Sequence, residues 1–184
     1  SDVDGDTDFS YTASIVNTSL ATLALESNVL TINPVIDQYG ETEISIIVND
    51  GLLDSPVSTF NVSINNVNDA PVLATVSDVS FDEDTSGSTS LSGSDIDGDD
   101  LTYSISGGSD ITATLSGSDV SFSAPSNFNG SETFTVSVSD ADLTDSQNIT
   151  VTVNAVNDAP IAATDLSGST NEDQSVVVNL SGSD

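Results

Sequence analysis

Three short stretches of the sequence crowd carboxylates together, and carboxylates at this density are suited to binding a divalent metal ion. The stretches are SDVDGDTD, FDEDT and SDIDGDD, which contain Asp2, Asp4, Asp6 and Asp8, then Asp82, Glu83 and Asp84, then Asp95, Asp97, Asp99 and Asp100. Ca²⁺ takes about six to eight oxygen ligands in a flexible arrangement, whereas Mg²⁺ requires a rigid octahedron and retains water molecules. The clusters therefore favour Ca²⁺.

An EF-hand calcium loop does not explain these clusters. That loop needs Gly at its sixth position and Glu at its twelfth. Counting from Asp2 gives Thr7 and Ala13 at those positions, and counting from Asp95 gives Asp100 and Ser106. A single Asp-Gly cluster is more often an ordinary turn, because Asp, Asn and Gly all stabilise tight turns. The recurrence of the pattern is what favours metal binding here.

The composition narrows the classes of partner. The chain of 184 residues has 30 acidic residues and no Lys, Arg or His, which gives a formal net charge of -30. Nucleic acid is excluded as a partner because its phosphates are bound through Lys and Arg, and an anionic membrane surface would repel the chain. There is no Cys for a disulfide or a thiolate metal site. Cations are the expected partners.

Alternating apolar residues indicate half-buried β-strands in TEISIIVND, FNVSIN, ETFTVSVSD and NITVTVN. Turn-forming stretches rich in Gly, Asn and Ser separate these segments, and helical signals are almost absent. The hydrophobic share of 36% argues against disorder despite the charge. We find no signal-peptide pattern and no apolar run near the roughly 20 residues of a membrane span. We expect an all-β protein without direct membrane insertion.

The pentapeptide VNDAP begins at Val67 and again at Val156, 89 residues later. This spacing is the size of a small all-β domain, so VNDAP marks a predicted junction between domains. We predict that residues 71–159 form a complete Greek-key β-sandwich of the immunoglobulin type. Its seven or so strands are expected near 72–80, 88–92, 100–106, 110–115, 119–123, 132–139 and 147–154.

Residues 1–70 are predicted to form a repeat that lacks its first strand, and residues 160–184 restart the unit. In the second of these segments NEDQS aligns with DEDTS, and LSGSD occurs at both Leu91 and Leu180. The chain thus contains part of one repeat, one complete repeat and the start of another. Three explanations fit this arrangement: a window from a long covalent array, a subunit that donates its terminal strand to a neighbour, or part of a larger protein. We favour the array.

With these motifs, essentially the whole chain resembles the cadherin-like tandem repeats, in particular those of large bacterial extracellular adhesins. The linker NVNDAP at Asn66–Pro71 is similar to the family's D-x-N-D-N-A-P. Glu83 and Glu172 match the Glu of the family. The family's D-x-D is matched by Asp95 with Asp97 and by Asp2 with Asp4, and its distal Asp is matched by Asp140 and Asp50. NFNG or DQYG replaces the family's L-D-R-E, with Asn129 and Asp37 as candidate substitutes.

The resemblance implies calcium ions clustered at each linker. At the first junction the implied ligands are Asn66, Asn68 through its carbonyl, Asp69, Asp95, Asp97 and Asp140. At the second junction they are Glu83, Asn157, Asp158 and Asp184. The equivalent positions Asp2, Asp4, Asp50 and Glu172 complete the predicted metal-binding set.

We therefore expect a calcium-binding structural repeat that acts as a rigid extender or fibre segment of an extracellular adhesin or surface filament. Its neighbours would be identical repeats arranged head to tail, joined covalently or by strand exchange. The alternatives are a calcium-dependent carbohydrate- or protein-binding adhesion module and an accessory domain of a secreted enzyme. Catalysis by the chain itself is not expected, because it has no His, Cys, Lys or Arg for nucleophilic or cationic catalysis.

Overall fold

The computed structural model describes residues 8–183, and these residues are built from β-strands and connecting loops. Residues 8–183 contain no helix, so none of their segments forms a helix able to cross a membrane. The chain divides into two compact units. The first comprises the residues up to Val72 with Gly93–Leu101 and Ser139–Asp145, and the second comprises Leu73–Ser92, Thr102–Val138 and the residues from Ser146 onward. The predicted boundaries at 70/71 and 159/160 stay predictions.

The first unit contains two small antiparallel sheets. The five strands that begin the chain are β1 Ser10–Ile15, β2 Ala21–Glu26, β3 Val29–Pro34, β4 Gly40–Asn49 and β5 Ser58–Ile64. One sheet has the order β1-β4-β5 and the other pairs β2 with β3. Its buried apolar residues include Leu20, Ala21 and Ile44. Thr42 is buried as well, and its Oγ1 accepts the Asn17 N–H at 3.2 Å.

The second unit contains a β-sandwich. The remaining strands are β6 Val72–Leu73, β7 Val79–Asp82, β8 Ser86–Ser90, β9 Gly93–Ser94, β10 Thr102–Gly107, β11 Thr112–Ser116, β12 Asp119–Ser123, β13 Gly130–Ser139, β14 Thr144–Asn154, β15 Ile161–Ala162 and β16 Gly182–Ser183. Of these, β9 falls in the first unit, as do the ends of β6, β13 and β14 at Val72, Ser139 and residues 144–145. One sheet has the order β10-β13-β14-β7 and the other has the order β11-β12-β8. The all-β sandwich class predicted from the alternating sequence is confirmed.

The core of the sandwich follows the period-two pattern of its strands. Along β13 the apolar side chains Phe134, Val136 and Val138 are buried, and those between them are half-buried. Every second residue of a strand points to the same face, so this alternation buries one face. Phe122 from β12 meets Phe134 edge to face, with ring centroids 5.3 Å apart, a geometry that aromatic pairs prefer.

The strand predicted at 72–80 is divided in the structure. β6 ends at Leu73, the Ala74 N–H donates to the Ser92 carbonyl at 2.8 Å, and β7 then begins at Val79. β7 pairs in parallel with β14, with Val79 opposite Val151. The segment thus changes neighbours between its two halves, and this change interrupts the strand. The other six strands predicted for this repeat overlap strands of the structure.

Glu132 holds the loop before β11 through three backbone hydrogen bonds. Its Oε2 accepts the N–H groups of Ser109 and Ile111 at 2.9 and 3.0 Å, and its Oε1 accepts the N–H of Asp110 at 3.0 Å. These bonds favour the ionised carboxylate and lower the pKa of Glu132 below its usual 4.5.

We predict that Glu132→Gln lowers the free energy of unfolding at pH 7 by about 1 to 2 kcal/mol, because Gln has one acceptor oxygen for three donors. The folded-state pKa of Glu132 is lowered, so its contribution is fully present above the unfolded pKa and is lost as pH falls through the folded pKa. The difference between variant and parent in urea unfolding should therefore disappear at acidic pH. Glu43→Gln, which removes an exposed carboxylate from β4, is the control, and an equal loss in both variants would contradict the assignment.

Candidate metal centre

The loop that follows β9 is organised around the side chain of Asp95. Its Oδ1 accepts the N–H groups of Asp97, Gly98 and Asp99 at 2.8, 3.0 and 3.3 Å. Gly98 has a φ of 81°, a left-handed conformation that Gly adopts without steric cost. The sequence SDIDGDD therefore forms a tight loop that turns its carboxylates toward one another.

The carboxylates of Asp95, Asp97 and Asp99 each place an oxygen within 4.8 Å of the others. Asp95 and Asp97 are half-buried and Asp99 is exposed. The second oxygen of Asp95, Oδ2, is buried and accepts no hydrogen bond within residues 8–183. A buried anionic oxygen without a partner is costly, and like charges at this separation repel. A cation among the three carboxylates would remove both costs.

The first VNDAP linker is attached to this loop. The Asp69 N–H donates to Asp97 Oδ2 at 2.8 Å, and the Asn68 amide Nδ2 donates to Asp140 Oδ2 at 3.0 Å. The pKa of Asp69 is raised by partial burial and then by the charges of Asp37, Asp97 and Asp95. Desolvation, and after it the neighbouring carboxylates with Asp95 first among them, also raises the pKa of Asp99. In both cases desolvation is the larger cause, and the neighbouring carboxylates add to it.

Asp140 closes the loop after β13. Its Oδ1 accepts the N–H groups of Asp142 and Leu143 at 2.8 and 2.6 Å, and these bonds and the Asn68 amide lower its pKa. Asp50, after β4, accepts the N–H groups of Leu52 and Leu53 in the same way, both at 2.8 Å. The two predicted distal Asp residues therefore fold the same local loop in both repeats.

The structure brings together five of the six ligands predicted for the first junction, namely Asn68, Asp69, Asp95, Asp97 and Asp140. Asn66 is exposed on the same linker, where it lines a shallow depression with Asp69 and Asp37. The predicted ligand set omitted Asp99, although its signal was present in the D-x-D-x-D spacing. The role of all these residues as ligands stays a prediction.

Of the ligands predicted for the second junction, Glu83 contacts the chain at the second VNDAP linker in the described residues. Glu83 is buried, its Oε1 accepts the Val156 N–H at 2.5 Å, and its own N–H donates to the Asn154 carbonyl at 2.9 Å. Asn157 and Asp158 are exposed on that linker, with the Asn157 amide donating to the Asp158 carbonyl. Glu172 is also exposed. Asp2, Asp4 and Asp184 lie outside the described residues.

The donor set at the first linker fits a hard cation. It contains carboxylate and amide oxygens, and the chain has no His or Cys to favour a softer metal. Asp95 Oδ2, which accepts no hydrogen bond within residues 8–183, is a candidate ligand atom. Calcium accepts the mixture of carboxylates, amide oxygens and backbone carbonyls that this loop and linker present.

Comparison with known proteins identifies the fold. Residues 68–152 match the family described as the bacterial Ig domain, and no curated protein matches the chain significantly. The structure is similar to human mucin-like protocadherin EC1-2, with a TM-score of 0.52, 20% identity, and coverage of 80% of this chain and 84% of that one. It is also similar to human protocadherin-24 EC1-2 form II, with a TM-score of 0.50, 14% identity and 85% coverage of both chains.

An endo-fucoidan hydrolase of glycoside hydrolase family 107 aligns with 84% of this chain at 22% identity and a TM-score of 0.38. The chain spans only 24% of that hydrolase's length. The Ig-domain match and the two protocadherin structures together show an Ig/cadherin-like fold.

We predict that Asp95→Asn stabilises the calcium-free protein and raises its Tm by about 2 to 4 °C, the shift that about 1 kcal/mol produces in a chain of this size. Asn keeps one oxygen for the three backbone N–H groups, removes one of three clustered charges, and replaces the unpartnered oxygen with a donor. Thermal unfolding in excess chelator tests this. Asp119→Asn, at an exposed residue of β12, is the control for the general loss of one charge, and an equal gain there would show that the effect is not local.

Proposed function

We propose that this chain is a calcium-binding structural repeat that acts as a rigid extender or fibre segment of an extracellular adhesin or surface filament. The observation that supports it most directly is the cluster of Asp95, Asp97 and Asp99, with its buried and unpartnered Asp95 oxygen, attached to the VNDAP linker. Fold similarity alone does not imply function, so the proposal rests on these residues. A surface location agrees with an Ig/cadherin-like domain.

The ion would be held by oxygen ligands from the loop and the linker. Asp95, Asp97 and Asp99 would contribute carboxylates, Asp69 and Asp140 lie beside them, and Asn66 and Asn68 would contribute linker oxygens. Calcium would supply positive charge that the chain itself lacks, because no side chain is cationic. A similar role is proposed for Glu83, Asn157 and Asp158 at the second linker.

The expected affinities are sufficient for a structural role. Extracellular calcium modules bind with dissociation constants of about 10⁻⁴ to 10⁻³ M. At about 1 mM calcium each such ion stabilises the folded state by roughly 0.4 to 1.4 kcal/mol. The combined binding free energy of several ions per linker would therefore be large enough to decide whether the linker is held in one conformation.

We propose no catalytic activity for the chain. The remaining chemical possibility is a carboxylate pair of the glycosidase type, which needs a general acid with a raised pKa beside a substrate cleft. Asp69 and Asp99, whose pKa values are raised, lie instead in the proposed metal centre. The proposed partners are neighbouring repeats and, through other parts of a parent protein, a cell-surface or glycan target.

We expect millimolar CaCl₂ to raise the Tm by several degrees relative to chelator at constant ionic strength, and MgCl₂ to have a much smaller effect. In the unmutated chain, bound calcium would offset the repulsion among the carboxylates of Asp95, Asp97 and Asp99. The effect of Asp95→Asn should therefore change sign, from stabilising in chelator to destabilising in calcium. A calcium shift that is the same in Asp95→Asn as in Asp119→Asn would contradict the assigned site.

The extender role makes a separate prediction about flexibility. If calcium holds the linkers, small-angle scattering should show a narrower distribution of maximum dimensions in calcium than in chelator. Asp69→Ala, which removes the linker carboxylate but leaves its backbone N–H, should reduce this difference. Identical scattering profiles in both conditions would leave a calcium-binding domain without a stiffening role.

A further inference from the structure

The side-chain amide of Asn68 bonds to a carboxylate that lies 72 residues further along the chain. Asn68 is half-buried in the first VNDAP linker, and its Nδ2 donates to Asp140 Oδ2 at 3.0 Å. The other oxygen of Asp140, Oδ1, accepts the N–H groups of Asp142 and Leu143 at 2.8 and 2.6 Å from its own loop. Both oxygens of this carboxylate are therefore engaged, and one of them is engaged by the linker.

A second donor from the linker acts on the neighbouring loop. The Asp69 N–H donates to Asp97 Oδ2 at 2.8 Å. The two loops that receive these bonds, Gly93–Leu101 and Ser139–Asp145, belong to the same compact unit as the residues up to Val72. N–H donors thus attach the linker to both loops, in a chain whose sequence has no cationic side chain.

The two donors differ in how they can respond to a cation. A carboxylate oxygen has two lone pairs, so Asp97 Oδ2 can accept the Asp69 N–H and still bind an ion. The Asn68 side chain carries an NH₂ donor and a carbonyl acceptor on one planar group, and turning that group exchanges the two. Beside a bare carboxylate the NH₂ group is favoured, and beside a cation the oxygen is favoured. Asn68 can therefore change its orientation without a change in the backbone.

Asp140 belongs to the electrostatic surroundings of the candidate metal centre. Its charge is one of the causes that raise the pKa of Asp99, after desolvation and the charges of Asp95 and Asp97. An ion among these three clustered carboxylates would attract the Asp140 carboxylate as well. The Asn68 amide thus donates to a carboxylate that the ion would also bind.

We propose that the Asn68 side-chain amide is a calcium-responsive switch in the first linker. In the absence of calcium, Nδ2 donates to Asp140 Oδ2 and holds the linker beside the loop. In its presence the amide turns about the Cβ–Cγ bond, so that Oδ1 faces the ion while the linker backbone stays in place. This inference rests on the proposed function, because it requires an ion at the centre that Asp140 borders.

The switch would set the calcium concentration at which the linker responds. The amide and the ion compete for the same oxygen of Asp140, so the Asn68 bond favours the calcium-free state. A carboxylate in place of the amide would bind the ion more tightly, but it would repel Asp140 when no ion is present. An amide at residue 68 therefore lets the linker dock in both states, at the cost of weaker calcium binding.

NMR of the side-chain amide tests the switch in the unmutated chain. Spectra of ¹⁵N-labelled protein are recorded in chelator and in saturating CaCl₂, and the Asn68 NH₂ signals are those that disappear in Asn68→Asp. We expect one Asn68 amide proton to be protected from exchange with water in chelator, through its bond to Asp140, and to lose this protection in calcium. The NH₂ group of Asn65, exposed on the same linker, is the control. An Asn68 amide that exchanges as fast as Asn65 in chelator would overturn the proposal, and so would one that stays protected in calcium.

Asn68→Asp should have opposite effects in the two conditions. In chelator it replaces a donor with a charge that repels Asp140, so we expect the Tm to fall by about 2 to 4 °C. In calcium it adds a charged ligand that does not have to leave Asp140, so we expect the Kd from an NMR titration to fall by about tenfold. Asn65→Asp adds the same charge at an exposed position of the linker. Equal effects of the two variants on Tm and Kd would contradict the switch.

The titration of the unmutated chain separates failure of this inference from failure of the proposed function. Calcium binding at the Asp95 loop that leaves the Asn68 amide protected would reject the switch and retain the calcium repeat. A titration in which the Asp95 loop binds no calcium would reject the proposed function and the switch together.

Discussion

The structure depends on one electrostatic constraint, which is that no side chain of this chain can neutralise a carboxylate. With 30 acidic residues and no Lys, Arg or His, side-chain salt bridges are impossible, and backbone N–H groups take their place. Asp50, Asp95, Asp140 and Glu132 each accept two or three of them. Each such carboxylate holds a loop in one conformation, so negative charge stabilises local structure wherever enough N–H groups converge. In the cluster of Asp95, Asp97 and Asp99 one buried oxygen, Asp95 Oδ2, has no N–H partner among the described residues, which is why the cation site is proposed there and not at Glu132.

The strands were predictable because their apolar residues alternate, and the sandwich follows from burying one face of each strand. β13 and β14 show this most clearly, with every second residue buried over 134–138 and over 149–153. The break between β6 and β7 was not predictable. It arises because the segment first bonds to Ser92 and then runs parallel to β14, and a single sequence contains no signal for such a change of neighbour.

The candidate site was predictable in its residue types and only partly in its geometry. The recurrence of D-x-D and VNDAP identified Asp95, Asp97 and Asp69, because short-range spacing fixes the local loop. The bond from Asn68 to Asp140 joins residues 72 positions apart, and its existence depends on the tertiary fold. Asp99 was missed for a different reason: in SDIDGDD the third Asp reads equally well as a turn residue, and only its convergence with Asp95 and Asp97 distinguishes it.

The net charge acts both between copies of the chain and within the first linker. A charge of -30 repels other copies, and within one copy Asp69 is held against Asp97 although Asp37, Asp97 and Asp95 all repel its carboxylate. Because a ligand shifts an equilibrium toward the state that binds it more tightly, calcium would favour the conformation in which Asn68 and Asp69 contact Asp140 and Asp97. It would do so through the same carboxylates that oppose this conformation in its absence.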